Sequence, residues 1–366
     1  MDRLLPLAQA VGAGALDSLE NVAINVADHL GLPRRRQHAA ELDAPLDGRL
    51  AIVTGGNAGI GFATARKLAE RGATVVLACR SRERGLAAAK VLADVPPLPG
   101  CGRGRVEFAR LDLASLADVR AFARSFNARG RRLDVLICNA GIMSPATRQE
   151  SEDGLEMQFQ VNFLSHWLLA HELLAEQRRR RAKAAKRGCG ADSGGTRLVM
   201  LSSLTHPAGK LQWADKQSLL AYNPFTSYAF SKLANTAMAL EFQRRFDRNA
   251  GRWGADSAVA IHPGIVHTAL ATGFFRQTGS GALPGLAHVL DPLLAALYPL
   301  VLRTPERSAD SMLRAATAPA GRVAGRYLHN DSLARPDADA RDPRRGAELW
   351  ELATALTGVS THASLA

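Results

Sequence analysis

The feature that most constrains this chain is a strict alternation of short apolar runs with longer amphipathic segments. Runs rich in Val, Ile and Leu at 50–54, 74–79, 106–111, 133–138, 197–202 and 258–262, with a shorter one near 325–328, are the strand candidates. Between them, 60–71, 83–92, 116–128, 155–175 and 227–248 carry helical periodicity. Near-continuous apolar strands that alternate with helices must be buried on both faces, because each crossover lays a helix on the sheet. The expected fold class is therefore α/β, a single doubly wound domain with a mostly seven-stranded parallel sheet and helices on both faces. In such a sheet a ligand is expected beyond the carboxyl ends of the strands.

This pattern divides the chain into an N-terminal extension over 1–46, a catalytic domain over 47–330 and a C-terminal tail over 331–366. The tail is expected to carry one amphipathic helix that packs Leu349, Trp350 and Leu356 onto the body. Two stretches are expected to be surface insertions, 96–104 and 178–196. The second begins with RRRRAKAAKR, seven positive residues in ten, and runs into a Gly-rich segment. A like-charge block of this kind is expected to be solvated. It accounts for much of the net charge of +12, and it lacks the aromatic residues that base stacking needs, so no nucleic-acid partner is expected. Four cysteines do not make a disulfide framework, and no pair has metal-ligand spacing. Cys79 and Cys138 are expected to be buried free thiols, and Cys101 and Cys189 to lie in loops.

No secretory signal or spanning helix is evident: acidic Asp2, Asp17 and Glu20 flank the short apolar stretch at the N-terminus. The greasy segment 282–302 is interrupted by Pro284, Asp291, Pro292 and Pro299. It suits a substrate lid over 269–303 as well as peripheral membrane contact. The compartment, cytoplasmic or organellar, is left open.

The first strand runs into Thr54-Gly55-Gly56-Asn57-Ala58-Gly59-Ile60-Gly61 and then a helix. Glycine permits a tight turn and a close backbone approach to a pyrophosphate, and the helix N-terminus adds free N–H groups and a positive dipole. Gly55, Asn57, Gly59, Ile60 and Gly61 are therefore candidate phosphate-binding residues. The second strand ends in Arg80, where a site for a bare ribose would place a carboxylate. A guanidinium suits a 2′-phosphate, so the expected cofactor is NADP(H). Asp112, with Leu113 beside it, can meet the adenine amino group at the end of the third strand. Asn139, Ala140 and Gly141 leave room for the adenosine ribose at the end of the fourth.

Tyr228 and Lys232 stand four apart at the opening of a long helix and share a face. An ammonium near the phenol stabilises the phenolate and moves its pKa toward neutrality. Together TGGNAGIG, CNAG, Asn162, Ser203 and Tyr228…Lys232 resemble, in order and spacing, the short-chain dehydrogenase/reductase family over roughly residues 48–330. The resemblance implies a Rossmann-type fold and a tetrad. In it Tyr228 is the general acid/base, Ser203 binds the substrate oxygen, Lys232 holds the nicotinamide ribose and Asn162 holds a relay water. It also implies that Pro263, Gly264, Ile265 and Thr268 hold the carboxamide. Cys138 departs from the family pattern, in which an Asn is common there.

LACRS, VNFLSHWLL, SKLAN, HPGIV and LWELATALTG are most similar to the retinol-dehydrogenase and WW-domain-oxidoreductase-like branch. That likeness implies an oxidoreductase interconverting an alcohol and an aldehyde or ketone, with a small lipophilic substrate of retinoid, steroid or fatty-aldehyde type. A lid including Phe274 and Phe275 and a pocket including His206 and Trp213 would receive it; loop packing is the plain alternative for the last two. The alternative function is a non-catalytic NADP(H)-binding sensor or scaffold, and a homodimer through the long helices is also left open.

Overall fold

The structure, a computed structural model, describes residues 42–187, 194–249, 256–266 and 302–359. The expectations placed on 1–41, on Cys189, and on Thr268, Phe274, Phe275 and most of the lid lie outside these residues.

Chain order is β1 (Leu50–Thr54), α1 (Gly59–Glu70), β2 (Thr74–Cys79), α2 (Arg82–Ala93), β3 (Arg105–Arg110), α3 (Leu116–Ala128) and β4 (Val135–Cys138). A short helical turn (Met157–Phe159) and a π-helical turn (Gln160–Leu164) then lead into α4 (Ser165–Lys186). After β5 (Arg197–Leu201) come a 3-10 segment (His206–Asp215), α5 (Pro224–Arg248) and β6 (Ser257–His262). The chain closes with α6 (Pro305–Thr317), β7 (Tyr327–His329), β8 (Ser332–Ala334) and α7 (Pro343–Thr357). The strands order as β3-β2-β1-β4-β5-β6-β7-β8. All pairings are parallel except β7 with β8. The chain works outward from β1 to β3 and then returns to β4 beside β1, which puts the crevice where strand order reverses between the ends of β1 and β4.

β1, β4, β5 and β6 are buried at every position, as strands covered on both faces must be. One core layer joins α3, α4, α5 and α7 to the sheet around Phe159, Trp167, Phe242 and Trp350. The other joins α1, α2 and α6 around Leu68, Leu77, Leu92 and Met312. No helix among the described residues is long and apolar enough to cross a membrane.

The structure differs from the expectations in four places. Among the described residues the sheet has eight strands, the seven expected parallel ones and β8, which adds an antiparallel edge beyond residue 330; it is three residues long and exposed throughout, so it carries no apolar signal. The basic run is not a loop from 178 onward, because α4 continues to Lys186. Arg, Lys, Ala and Gln are good helix formers, and Glu176 pairs with Arg179 and Arg180 one turn on. Arg178 is buried and donates to Asp256 at 2.7 Å, and Arg181 reaches the same carboxylate. The helix expected over 155–175 is present from Met157, but it contains a π turn over Gln160–Leu164 and runs on to Lys186. Lastly, α6 was not foreseen, although Thr304 caps it, Pro305 opens it and Glu306 follows.

Candidate active site

One cleft of about 960 Å³ opens at the carboxyl ends of the strands. It is lined by Gly55, Asn57, Gly59, Ile60, Gly61, Arg80, Asp112, Leu113, Asn139, Ala140, Gly141, Ser203, Tyr228, Lys232, Pro263, Gly264 and Ile265. Every candidate cofactor or tetrad residue lies there except Asn162, which sits behind the wall, and Thr268, which lies outside the described residues.

The glycine turn has the conformation its sequence requires. Gly55 and Gly59 have φ of +66° and +55°, in the left-handed region that other residues avoid. A Cβ on Gly61 would stand 2.5 Å from the carbonyl oxygen of Gly55 and 2.5 Å from Asn139 Nδ2. α1 starts without a side-chain cap and without an acidic residue in its first turn. Its leading N–H groups and positive dipole end therefore face the cleft, an arrangement that fits a phosphate. At the end of β2, the exposed Arg80 is joined on the cleft wall by Arg84 and by Ser81, whose hydroxyl caps α2. Among the described residues, Asp112 is the only carboxylate in the lining. Its Oδ1 accepts from the Ala114 N–H at 3.0 Å, which orients the carboxylate at the end of β3.

At the other end of the cleft, Asn223 caps α5 by accepting from the N–H groups of Phe225 and Thr226, and Pro224 opens the helix. Tyr228 therefore lies in the second turn, one turn before Lys232. Burial pushes the Tyr228 hydroxyl up to about 12, with its hydrogen bond to Ser203 acting in the opposite direction. Burial also pushes the Lys232 ammonium down to about 8. Its Nζ lies 5.5 Å from the centre of the Tyr228 ring and donates to the carbonyl of Leu201 at 3.2 Å. In the protein alone, desolvation therefore outweighs the help the phenol was expected to receive from Lys232. The two neighbouring serines differ sharply. Both border the cleft, but Ser202 is buried with its hydroxyl held by the Lys232 carbonyl and Thr236 Oγ1, whereas Ser203 is half-buried.

Asn162 lies in the π turn and is wholly buried. Its side chain clamps the backbone of Ile142: Oδ1 accepts from the N–H at 2.8 Å and Nδ2 donates to the carbonyl at 2.9 Å. Nδ2 also donates to Ser231 Oγ on α5 at 2.9 Å. Its backbone carbonyl accepts from Asn235 Nδ2 at 3.0 Å and pairs with His166 Nδ1 at 2.9 Å. A carbonyl can only accept, so His166 carries its proton on Nδ1. Nε2 must then accept from the hydroxyl of Thr54, 2.9 Å away. Thr54 Oγ1 in turn receives the N–H groups of Asn139 and Ala140. Burial holds His166 down to about 4, with the Lys232 charge adding to that, so the ring is neutral. Thr54, His166 and Asn235 thus tie the glycine turn, Asn162 and the end of β5 into one buried polar network. The sequence offered one cue to it, the four-residue spacing of Asn162 and His166 on a helix.

His206 and Trp213 do not line the cleft. His206 is buried with Nδ1 on the Ser203 carbonyl at 2.8 Å, and it accepts from the Asp337 N–H at Nε2. Trp213 donates to Asp339 at 2.6 Å and packs edge-on against Phe230. Both tie the segment after Ser203 to the C-terminal region, so the packing alternative holds. Gly264, at φ +93°, lies against Arg303, and the Arg303 N–H donates to the Ile265 carbonyl at 2.8 Å.

Comparison with known proteins places this arrangement in a family. Residues 49–185 match the short chain dehydrogenase model. A polyprenol dehydrogenase of Mus musculus is 40% identical over 316 residues, covering 86% of this chain and 85% of that protein. The chain belongs to the short-chain dehydrogenase/reductase family. Retinol dehydrogenase 11 of Homo sapiens is 31% identical and covers 86% of this chain and 87% of its own length, which places the chain in the retinol-dehydrogenase-like branch. Among solved structures, an uncharacterized protein from Mycobacterium paratuberculosis matches with a TM-score of 0.63 and 30% identity, covering 88% of this chain and 97% of that one. A protein from Beutenbergia cavernae, described as an NAD(P)-dependent gluconate 5-dehydrogenase with bound NADP, matches at 0.53 and 26% identity, covering 78% and 96%. The chain is accordingly an oxidoreductase of this family.

Proposed function

We propose that this reductase/dehydrogenase uses NADP(H) to interconvert a lipophilic alcohol and its aldehyde or ketone. The observation that carries the reading is a single cleft holding an uncapped helix N-terminus at one end and Ser203, Tyr228 and Lys232 at the other. A bound nicotinamide supplies the hydride chemistry. The chain's own residues supply position and a proton.

Gly55, Asn57, Gly59, Ile60 and Gly61 would take the pyrophosphate, Arg80 with Arg84 and Ser81 the 2′-phosphate, and Asp112 and Leu113 the adenine. Asn139, Ala140 and Gly141 would border the adenosine ribose. Pro263, Gly264 and Ile265, with Thr268, would receive the carboxamide. Ser203 would donate to the substrate oxygen, and Tyr228 would give its proton to that oxygen in reduction and remove it in oxidation. Lys232, one helical turn away, favours the phenolate and holds the ribose. Asn162 positions the Ile142 backbone behind the cleft, and would hold the relay water that the family resemblance implies. The substrate class follows from the relatives: the family members named above act on polyprenol and retinol.

The test is NADPH and NADH oxidation against retinal, a polyprenyl aldehyde, a steroid ketone and a fatty aldehyde. Arg80→Asp is expected to weaken NADPH use and raise NADH use, because a guanidinium suits the 2′-phosphate and a carboxylate suits the diol. An unchanged cofactor preference in that variant would contradict the assignment.

A further inference from the structure

At the β8 edge of the sheet, α5, β7 and β8 border a second, open pocket of about 500 Å³. Its walls reach Arg244 on α5, about 24 Å along that helix from Tyr228 at 1.5 Å per residue. The two pockets share no lining residue.

Four guanidiniums border this pocket, those of Arg244, Arg326, Arg335 and Arg341. Arg244 is occupied: it donates to Glu241 at 2.8 Å and to the Arg341 carbonyl at 2.9 Å. Arg341 uses Nε on the Pro336 carbonyl at 3.1 Å. Arg326 and Arg335 are exposed, and among the described residues neither they nor Arg341 have a carboxylate partner. Asp247 is the only carboxylate in the lining among the described residues, and it accepts from Gln243 at 2.8 Å. The basic end of α4 presents a contrast, because Arg178 and Arg181 are ion-paired there with Asp256, and Arg179 and Arg180 with Glu176.

Like charges gathered around one concavity repel each other unless an anion sits among them. We infer that this pocket is a binding site for a phosphate-bearing anion. Three guanidiniums without a carboxylate partner, against one carboxylate, leave an excess near two positive charges, which matches the charge of about −1.5 to −2 on a phosphomonoester at neutral pH. The guanidinium fork binds phosphate oxygens in pairs. Tyr327 and Leu333 in the wall give an organic portion of the ligand an apolar surface. The phosphate can come from a soluble phosphomonoester or from an anionic lipid headgroup.

Two probes test this on the full chain. They are inorganic phosphate by calorimetry, and co-sedimentation with phosphatidylcholine vesicles with and without phosphatidate. Arg326→Glu combined with Arg335→Glu, both exposed positions, is expected to lower affinity for the responding probe roughly ten-fold or more, since two charge-assisted contacts are lost. Lys183→Glu combined with Lys186→Glu, at the end of α4, is expected to leave it unchanged. Response to inorganic phosphate, with or without the vesicles, assigns a soluble phosphomonoester, and response to phosphatidate vesicles alone assigns a lipid headgroup. The inference is overturned if neither probe binds, or if the α4 variant loses as much as the pocket variant. It is also overturned if the pocket variant changes only the sedimentation mass, which would make this face a contact between copies of the chain.

Discussion

Replacing His166 with Gln removes the group that joins the Thr54 hydroxyl to the Asn162 carbonyl, and the effect should depend on pH in a defined way. His166 is wholly buried and held at about 4, against 6.5 for a free imidazole. The sign follows from the proton count. Below 6.5 the unfolded chain takes up a proton that the folded protein refuses, so stability is fully present above 6.5 and is lost as pH falls toward 4. At about 1.36 kcal/mol per pH unit, that gap amounts to roughly 3 kcal/mol from this one residue. His171, also held at about 4 by burial, adds a similar loss in wild type and variant alike. At pH 7.5 the variant should be about 1–3 kcal/mol less stable, because two buried partners lose a hydrogen bond. Near pH 4.5 that deficit should shrink or reverse, since the variant has no buried imidazole there to keep neutral. Urea unfolding at pH 7.5, 6 and 4.5 reads this directly. Stability–pH curves that stay parallel would refute the tautomer and the burial argument together.

Two further perturbations probe the cleft itself. Gly61→Ala would press a methyl against the Gly55 carbonyl and Asn139 Nδ2, each 2.5 Å away, and displace the turn that receives the pyrophosphate. About 1–3 kcal/mol of stability should be lost along with most NADP(H) affinity, measured by denaturation and fluorescence titration; unchanged affinity would show the turn is not the phosphate site. For carbonyl reduction, kcat/KM should fall as pH rises through about 8, where Lys232 loses its proton, while Tyr228, at about 12, stays protonated. A flat profile from pH 6 to 10 would remove Lys232 from the proton step.

The parts of the fold legible in the sequence are those set by local pattern. β1 and β2 begin and end where their apolar runs do, and α3 spans the expected residues, with Ser115 capping it. What escaped was set by contacts distant in sequence. The end of α4 carries charge that looks solvated, until Arg178 meets Asp256 from 78 residues away. β8 exists because β7 offers it an edge, and its own residues are exposed. At the site, the residues facing the cleft could be named from motifs, because glycines, a capped helix and the Tyr–Lys spacing are local. The support beneath them could not: His166 reaches Thr54 across 112 residues, and Asn235 reaches Asn162 across 73. His206 beside Ser203 shows the converse error, since nearness in sequence suggested a pocket wall and the ring instead anchors the C-terminal segment.

The account rests on Tyr228 as the group that moves the proton. The most direct measurement is single-turnover NADPH oxidation by wild type and Tyr228→Phe with whichever carbonyl substrate turns over, together with NADPH binding to both proteins. Turnover should fall by roughly a hundred-fold or more, the usual worth of a positioned acid, while NADPH affinity stays within a few-fold. Turnover by the Phe variant equal to that of the wild type would contradict the assignment.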